Sequence, residues 1–256
     1  MTNMLEIKDL SFKYDINYVF YNMNLNIKKN EFVYLIGTNN SGKTTLINIL
    51  KNYPYDGQIY INGLEMCNKN SEKINKTMNI IDIDYVKKCK LTNMEEKITC
   101  EKSSDVLKDY ELLQIKNNFF NKLSFLDKIK VIIFLNLIND FQFLIIDEII
   151  DLLEYKDKIY IYKLIKKYQK KFKKSILVIS NNSDGIIYAK RIMILNKGKI
   201  IFNDILNNIE KNDNIFNDLS IKMPFIVDLS IKLKLYNLID KIYVDEKRMI
   251  KDIWGK

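Results

Sequence analysis

The stretch EFVYLIGTNNSGKTTLINIL, residues 31–50, decides how the chain is read. It opens on an apolar run ending at Gly37, the pattern of a short buried strand, and closes on TTLINIL at helical spacing. Between them Gly37-Thr38-Asn39-Asn40-Ser41-Gly42-Lys43-Thr44 satisfies GxxxxGK[ST] in full. The spacing has a physical reason. Two glycines let the backbone curl so that successive N–H groups point inward at phosphate oxygens, and the loop opens a helix whose N-terminal dipole favours negative charge. Lys43 is then placed to reach the terminal phosphates, and the Thr44 hydroxyl to coordinate Mg²⁺. Residues 37–45 read as a site for nucleotide phosphates.

Well downstream, Phe143-Leu144-Ile145-Ile146-Asp147-Glu148 is an apolar strand that delivers two acids at its C-terminal end. Ligands of open α/β sheets bind outside such ends. Asp147 is suited to holding the metal through water, and Glu148 to orienting and deprotonating an attacking water. Around these motifs the chain alternates. LEIKDLSFKY (5–14) and QIYING (58–63), the latter ending in the hairpin pair Asn62-Gly63, read as strands. KIYIYKLIKKYQKKF (158–172) reads as a helix with Ile161, Ile165, Tyr168 and Phe172 on one stripe. SILVIS (175–180), RIMILN (191–196) and KIIFN (199–203) read as three further strands, and residues 66–120 as mostly helix or loop. This alternation predicts an α/β layered domain with a parallel sheet, a polar helical insert as a separate lobe, and a mixed tail.

Composition narrows the chemistry. Of 256 residues 47% are hydrophobic and 29% charged, which suits a packed core and argues against disorder. Histidine is absent, which excludes imidazole metal sites, Ser-His-Asp triads and any His general base. Cys67, Cys89 and Cys100 form no CxxC pair, so a reducing cytosol fits better than a disulfide framework or a zinc module. The 41 Lys+Arg exceed the 32 Asp+Glu by 9. Because Lys, Asn and Ile crowd the whole chain, this surplus reads as residue bias before it reads as a dedicated basic surface. Lys163, Lys166, Lys167, Lys170, Lys171, Lys173 and Lys174 accordingly read as a solvated helix face, Trp254 as a packing anchor for the tail, and no nucleic-acid partner is expected. The longest apolar stretch, 131–146, is interrupted by Asn136, Asn139, Asp140 and Gln142 and cannot span a bilayer, and the first residues lack the order of a signal peptide.

Tyr14, the 37–45 loop, the Asp147-Glu148 strand and the order of elements together resemble the nucleotide-binding subunit of an ABC transporter, over essentially the whole chain. Within that family the likeness is to the energy-coupling factor (ECF) ATPases, which drive uptake of vitamins and transition-metal ions. LEIKDLSFKYD (5–15) and LNKGKIIFND (195–204) are similar to theirs, and DLSIKMPFIVDLSIKLK (218–234) looks like their GLDVPF…LS..LK stretch. The resemblance implies a P-loop ABC ATPase core of the α/β class with an antiparallel N-terminal portion. Its divisions would be 1–85 with Tyr14 and the phosphate loop, 86–140 as helical subdomain, 141–210 with the acidic strand and switch, and 211–256 as a short α/β tail. It implies ATP and Mg²⁺ as cofactors. The nucleotide would be held by Gly37, Thr38, Asn39, Asn40, Ser41, Gly42, Lys43, Thr44 and Thr45, the metal by Thr44 and Asp147, and the adenine by stacking on Tyr14. It also implies a peripheral subunit on the cytoplasmic face of the cell membrane. Its partners would be a second ABC ATPase, a membrane-embedded coupling protein and a substrate-capture subunit.

The departures from the family pattern carry as much information. The signature LSGGQ falls at Leu123-Ser124-Phe125-Leu126-Asp127. Ser124 survives to cap the nucleotide of the opposite subunit, but Phe125 and Leu126 put bulk where backbone must approach phosphate. The switch histidine falls at Asn181, which can donate a hydrogen bond to a γ-phosphate but brings no imidazole chemistry; with Glu148 it completes the implied catalytic pair. No glutamine follows the strand that faces the lobe, so Asp82 or Asp84 stands in for it, and the loop after Glu148 runs Asp151-Leu152-Leu153-Glu154. The expectation is a chain that binds ATP–Mg²⁺ well and hydrolyses it poorly by itself, the weaker half of an asymmetric pair with a paralogue rather than a second copy. The alternative is a non-transport or non-hydrolysing ABC protein in which ATP is structural or regulatory.

Overall fold

The computed structural model describes residues 2–89, 122–212 and 214–254; the middle of the helical subdomain expected over 86–140, and Cys100 with it, lies outside the described residues. Two sheets form. β1 (Asn3–Tyr14), β2 (Asn17–Lys28), β4 (Asp56–Ile61) and β5 (Leu64–Glu65) make an antiparallel sheet in the order β2-β1-β4-β5. β4 turns into β5 through Asn62 (φ 52°) and Gly63 (φ 80°), left-handed positions that an Asn-Gly pair fills with little strain. The second sheet has the order β10-β9-β3-β8-β7-β6, from β3 (Phe32–Gly37), β6 (Met78–Ile81), β7 (Phe143–Asp147), β8 (Ser175–Ser180), β9 (Arg191–Asn196) and β10 (Lys199–Asp204). It is parallel except for β10, which returns antiparallel to β9.

The parallel sheet partitions two cores, and the period of two along each strand shows how. Phe32, Tyr34 and Ile36 of β3, Leu144 and Ile146 of β7, and Ile176 and Val178 of β8 face one core. There they meet α4 (Phe125–Ile138) and α5 (Tyr155–Lys171). Val33 and Leu35, Phe143 and Ile145, and Leu177 and Ile179 face the other, where the antiparallel sheet and α1 (Lys43–Leu50) pack. Strands buried on both faces need continuous apolar runs, which is why FVYLIG, FLIID and SILVIS look alike. Each fully buried aliphatic side chain contributes roughly 1.5–3 kcal/mol, so α1 is held rigidly by Leu46, Ile47, Ile49 and Leu50 between the two sheets.

Several expectations need correction. Strand β6 lies within 66–120, otherwise expected as mostly helix or loop, at the place where the resemblance put the lobe-facing strand before Asp82; its four residues MNII are too few to show a period of their own. It follows α2 (Ser71–Thr77) and leads into α3 (Ile83–Lys88). The tail was expected to be mixed α/β, but its described residues carry helices: α6 (Asn214–Asp218), α7 (Phe225–Leu235) and α8 (Glu246–Trp254). The strand-like KIYV (241–244) finds no strand neighbour, and the Tyr243 N–H donates to Ser230 Oγ at 3.1 Å instead. Trp254 is not an anchor. It is 81% exposed, sharing the outer face of α8 with exposed Ile250, while Met249 is the residue of that helix that is buried. Lys174 leaves the solvated group too: buried to 3% exposure, its ammonium donates to the carbonyls of Asn139 and Phe141 before β7.

Candidate functional site

Register in the parallel sheet brings the chemistry to one edge. Ile81 lies opposite Ile146, Asp147 opposite Ile179, and Ser180 opposite Ile36. The chain therefore leaves β6, β7, β8 and β3 side by side at Asp82, Asp147, Ser180 and Gly37, the C-terminal edge at which such sheets bind ligands.

Gly37 is fixed by crowding: a Cβ there would sit 2.5 Å from Ser41 Oγ and 2.6 Å from the Leu195 carbonyl. Gly42 precedes α1 in the left-handed region (φ 112°), where a side chain would strike the Phe20 ring at 2.9 Å. Asn40 is also left-handed (φ 63°), and Gly198 N–H donates to the Ser41 carbonyl at 2.9 Å, tying the β9–β10 turn to the loop. Thr38 is half-buried, Asn39, Asn40 and Thr44 are exposed, and Ser41 and Thr45 are buried. Lys43 is a buried charge. Only 4% exposed, its ammonium donates to the carbonyls of Gly37 (2.8 Å) and Thr38 (2.9 Å) and stands 3.5 Å from Glu148 Oε1. Burial pushes its pKa below the usual lysine value, against the opposing pull of Glu148.

Across from the loop, Asp147 Oδ1 is buried without a hydrogen-bond partner. Burial, then the charges of Glu148 and Asp82, raise its carboxyl to a pKa of about 7, against the pull of Lys51 and Lys43. A buried carboxylate oxygen left unpaired costs free energy unless something cationic meets it. The residues present therefore fit a magnesium ion, and Thr44, next to Lys43 in the loop, is exposed. Glu148 sits at φ 53°, an uncommon conformation for a non-glycine residue, with its N–H donated to the Ile179 carbonyl at 3.0 Å. That strain re-aims the side chain directly after the strand, toward Lys43.

Of the two acids left open by the sequence, Asp82 is the one placed here. It caps α3 by accepting the Tyr85 N–H at 2.8 Å, pairs with Lys51 at the end of α1, and lies within the field of Asp147, whereas Asp84 is exposed on α3. Hydrogen bonds from Lys51 and the Tyr85 N–H outweigh burial and lower the Asp82 pKa.

Asp151 was named only as the start of a loop remnant, but it organises the segment 180–182. Its carboxylate accepts from Ser180 Oγ (2.8 Å), the Asn181 N–H (3.0 Å) and Asn182 Nδ2 (2.9 Å). Tyr34 OH, buried against Tyr162, closes the network on the Asn182 carbonyl at 3.0 Å. The signal was present in the sequence as an acid four residues after Asp147, yet its partners lie on another strand. Asn181 itself is held by its backbone, and its side chain is exposed.

Residues 20–151 match the family described as ABC transporter. The chain belongs to that family. It is similar to the energy-coupling factor transporter ATP-binding protein EcfA1 of Fusobacterium nucleatum subsp. nucleatum, 30% identical over 88% of this chain and 98% of that one. It also resembles the lacticin-481/lactococcin-DR transport/processing ATP-binding protein of Lactococcus lactis subsp. lactis, at 29% identity over 82% of this chain, and spans 32% of that protein's length. Among solved structures, cbiO1 from Clostridium perfringens, part of the ABC transporter complex cbiONQ, shares the fold with a TM-score of 0.68 at 21% identity. That match covers 90% of this chain and 99% of cbiO1. The chain is thus an ATP-binding subunit of an ABC transporter.

In this ABC subunit the other resemblance-based residues lie apart from the sheet edge. Tyr14 ends β1 with 47% exposure and an edge-to-face contact on Phe12 at 4.9 Å. The hairpin that carries it stands over the phosphate loop, since Val19 and Phe20 of β2 pack on Gly42 and Gly198. Ser124 is the N-cap of α4: its Oγ accepts the Asp127 N–H at 3.1 Å and donates to Asp127 Oδ2 at 2.7 Å. Phe125 beside it is 38% exposed. Among the described residues no helix is long and apolar enough to cross a membrane.

Proposed function

We propose that this chain is the ATP-binding subunit of an ECF-type importer, binding ATP–Mg²⁺ at residues 37–45 and acting with a second ATPase, a membrane-embedded coupling protein and a substrate-capture subunit. The observation that carries the nucleotide half is the unpaired, buried Asp147 oxygen within the field of Lys43, whose buried ammonium is held by the carbonyls of its own loop. The ECF assignment rests on EcfA1 relatives that the chain matches nearly end to end, including one from Mycoplasma mobile at 26% identity over 98% of this chain and 97% of that protein. Uptake of a vitamin or metal ion and a peripheral place on the cytoplasmic membrane face follow from that assignment.

Bound ATP–Mg²⁺ would supply the transferable phosphoryl group and neutralise its developing charge. The chain's own parts are positional. Lys43 would leave the Gly37 and Thr38 carbonyls for phosphate oxygens, the loop N–H groups and α1 dipole would hold negative charge, and Thr44 and Asp147 would hold the metal. Glu148 would orient and deprotonate a water. Asp151 would fix the segment that presents Asn181, and Tyr14 would pack on the base.

A specific observation favours an unequal pair. The start of α4 is already capped by Ser124, which accepts the Asp127 N–H, and the Asp127 carboxylate and neighbouring Phe125 oppose a phosphate arriving from a second subunit. Catalysis at this chain's own loop would then depend on a paralogue bearing an intact signature. The test is purification of the tagged chain from its native membrane. Recovery with two integral membrane proteins and a second ATPase, with ATP turnover in the complex and little in the isolated chain, is expected. Family-typical turnover by the isolated chain, abolished by Glu148→Gln, would overturn the unequal pair, and a monodisperse chain without membrane partners would overturn the importer.

A further inference from the structure

The opposite edge of the parallel sheet carries a second concentration of charge. At the N-terminal ends of β3 and β9, about 480 Å³ of cavity is bounded by Lys166, Lys170, Lys173 and Lys190, with Phe32 and Tyr188 as its apolar wall. These lysines come from three places in the chain: the last turns of α5, the turn after it, and the residue before β9, where the Lys190 N–H donates to the Phe32 carbonyl at 2.9 Å. Six residues of β3 separate this edge from Gly37, roughly 20 Å of strand, so the phosphate loop is not its neighbour.

No carboxylate lines this cavity among the described residues. The nearest acid in sequence, Glu31, is spent elsewhere: its oxygens accept from Arg191 Nε at 2.9 Å and Arg191 Nη2 at 2.7 Å, and from the Lys28 N–H at 2.9 Å. The floor is rigid, because buried Gln169 donates to the carbonyls of Asn30 (2.8 Å) and Lys174 (3.1 Å). The dipole at the C-terminus of α5 accounts for lysines in and after its last turn, Lys170 and Lys173. It accounts neither for Lys166, one turn earlier, nor for Lys190 on another segment. Lys166 is partly desolvated, its ammonium 6.0 Å from the Tyr188 ring centroid, and burial together with the charge of Lys170 lowers its pKa. A set of like charges on a concave wall, with no counter-charge and an apolar side, costs stability in the free protein and is relieved by a ligand.

We propose that this cavity is a binding site for a phosphate-bearing ligand with two or more negative charges, separate from the ATP site. Lys166 and Lys190, both lining it, are the charges that fold stability does not explain, and the Phe32 and Tyr188 wall accommodates the ligand's apolar body. The phosphate can belong to a free metabolite or to a lipid headgroup; the chemistry recognised is the same.

The test titrates inorganic pyrophosphate into the full chain at low salt, with and without saturating Mg-ATP. It compares wild type with the double variant Lys166→Gln/Lys190→Gln and with Lys43→Ala. The expected result is binding by wild type that persists in Mg-ATP and is at least 10-fold weaker in the double variant. Pyrophosphate should raise the Tm of wild type only, and the double variant should melt higher than wild type without ligand, which a damaged fold would not. Sedimentation with phosphatidylglycerol vesicles, lost in the double variant while free pyrophosphate binds weakly, supports the site and names the lipid as its source. Equal binding by wild type and double variant in both assays overturns the proposal. Binding lost only in Lys43→Ala also overturns it, assigning the anion to the phosphate loop and leaving the ATP assignment intact. Failure of Mg-ATP itself to bind would sink that assignment, while the comparison without nucleotide still decides this one.

Discussion

Two helix starts in this protein begin from the same physics and end in opposite states. α1 and α4 each present unpaired N–H groups and a positive dipole end after a loop. At α1 the N-cap is Gly42, no side chain caps the helix, and its first turn holds no acid. At α4 the N-cap is Ser124, bonded to the Asp127 N–H, and Asp127 itself supplies an acid in the first turn. The first helix leaves its donors open to phosphate and is held in place by burial between two sheets. The second satisfies one of its donors, the Asp127 N–H, from within. Self-capping and ligand binding compete for the same N–H groups, so a helix end cannot be strong in both.

The sharpest way to break this comparison is Lys43→Ala. Removing the buried ammonium should weaken ATP–Mg²⁺ binding on the order of 100-fold, as expected for loss of charge-assisted contacts. Ser124→Ala should leave the isolated chain's affinity unchanged within about twofold, since α4 contributes nothing to its own nucleotide site. Calorimetry on the two variants measures both, and equal losses would erase the distinction.

The next effect concerns the metal position. Asp147 is raised to a pKa of about 7, far above its value in an unfolded chain. The folded protein therefore holds a proton there that the unfolded chain has given up. Stability from this group is present below about pH 4 and is lost as pH rises through about 7. In metal-free protein Asp147→Asn should be more stable than wild type at pH 8 by about 1–3 kcal/mol, with the gain shrinking toward pH 5. Urea melts at several pH values would show it, and added Mg-ATP should reverse the order. A pH-independent difference would mean that the carboxylate is solvated.

How far such contrasts are legible in sequence depends on where the partners lie. The phosphate loop, the strand before it and the Asp147-Glu148 strand end are local patterns with fixed spacing, and the structure sets them on one sheet edge. Strands β3, β7 and β8 were readable because burial on both faces demands unbroken apolar runs. What could not be read were pairings across the chain: Asp151 with residues 180–182, Asp82 with Lys51, and the carbonyls that draw Lys174 inward. No period or motif encodes a contact between an acid and a strand end some thirty residues away. Trp254 misled for a related reason, since a large aromatic near a terminus looks like an anchor until the inward face of its helix is known.

At α4 the cap makes a prediction about stability rather than binding. Ser124→Ala removes the acceptor of the Asp127 N–H and should lower stability by about 1 kcal/mol, the usual cost of an N-cap. A chemical melt with an unchanged midpoint would show that the helix end is not self-satisfied, and the contrast with Gly42 would lose its basis.

The smallest effect sharpens the comparison most. Asp127→Asn keeps the size of the side chain and a carbonyl to accept the Ser124 hydroxyl, but removes the charge at the helix start. Lys130 lies 3.5 Å from Asp127 and also pairs with Asp157 at 2.5 Å, so it retains a partner. The group is partly exposed and screened, so the loss should be no more than about 0.3–1 kcal/mol and should shrink with added salt. A fall in the midpoint at low salt that vanishes at high salt would identify the carboxylate as the charge that closes α4. A rise would mean that the carboxylate strains this end, and that α4, like α1, is kept open at a cost to the fold.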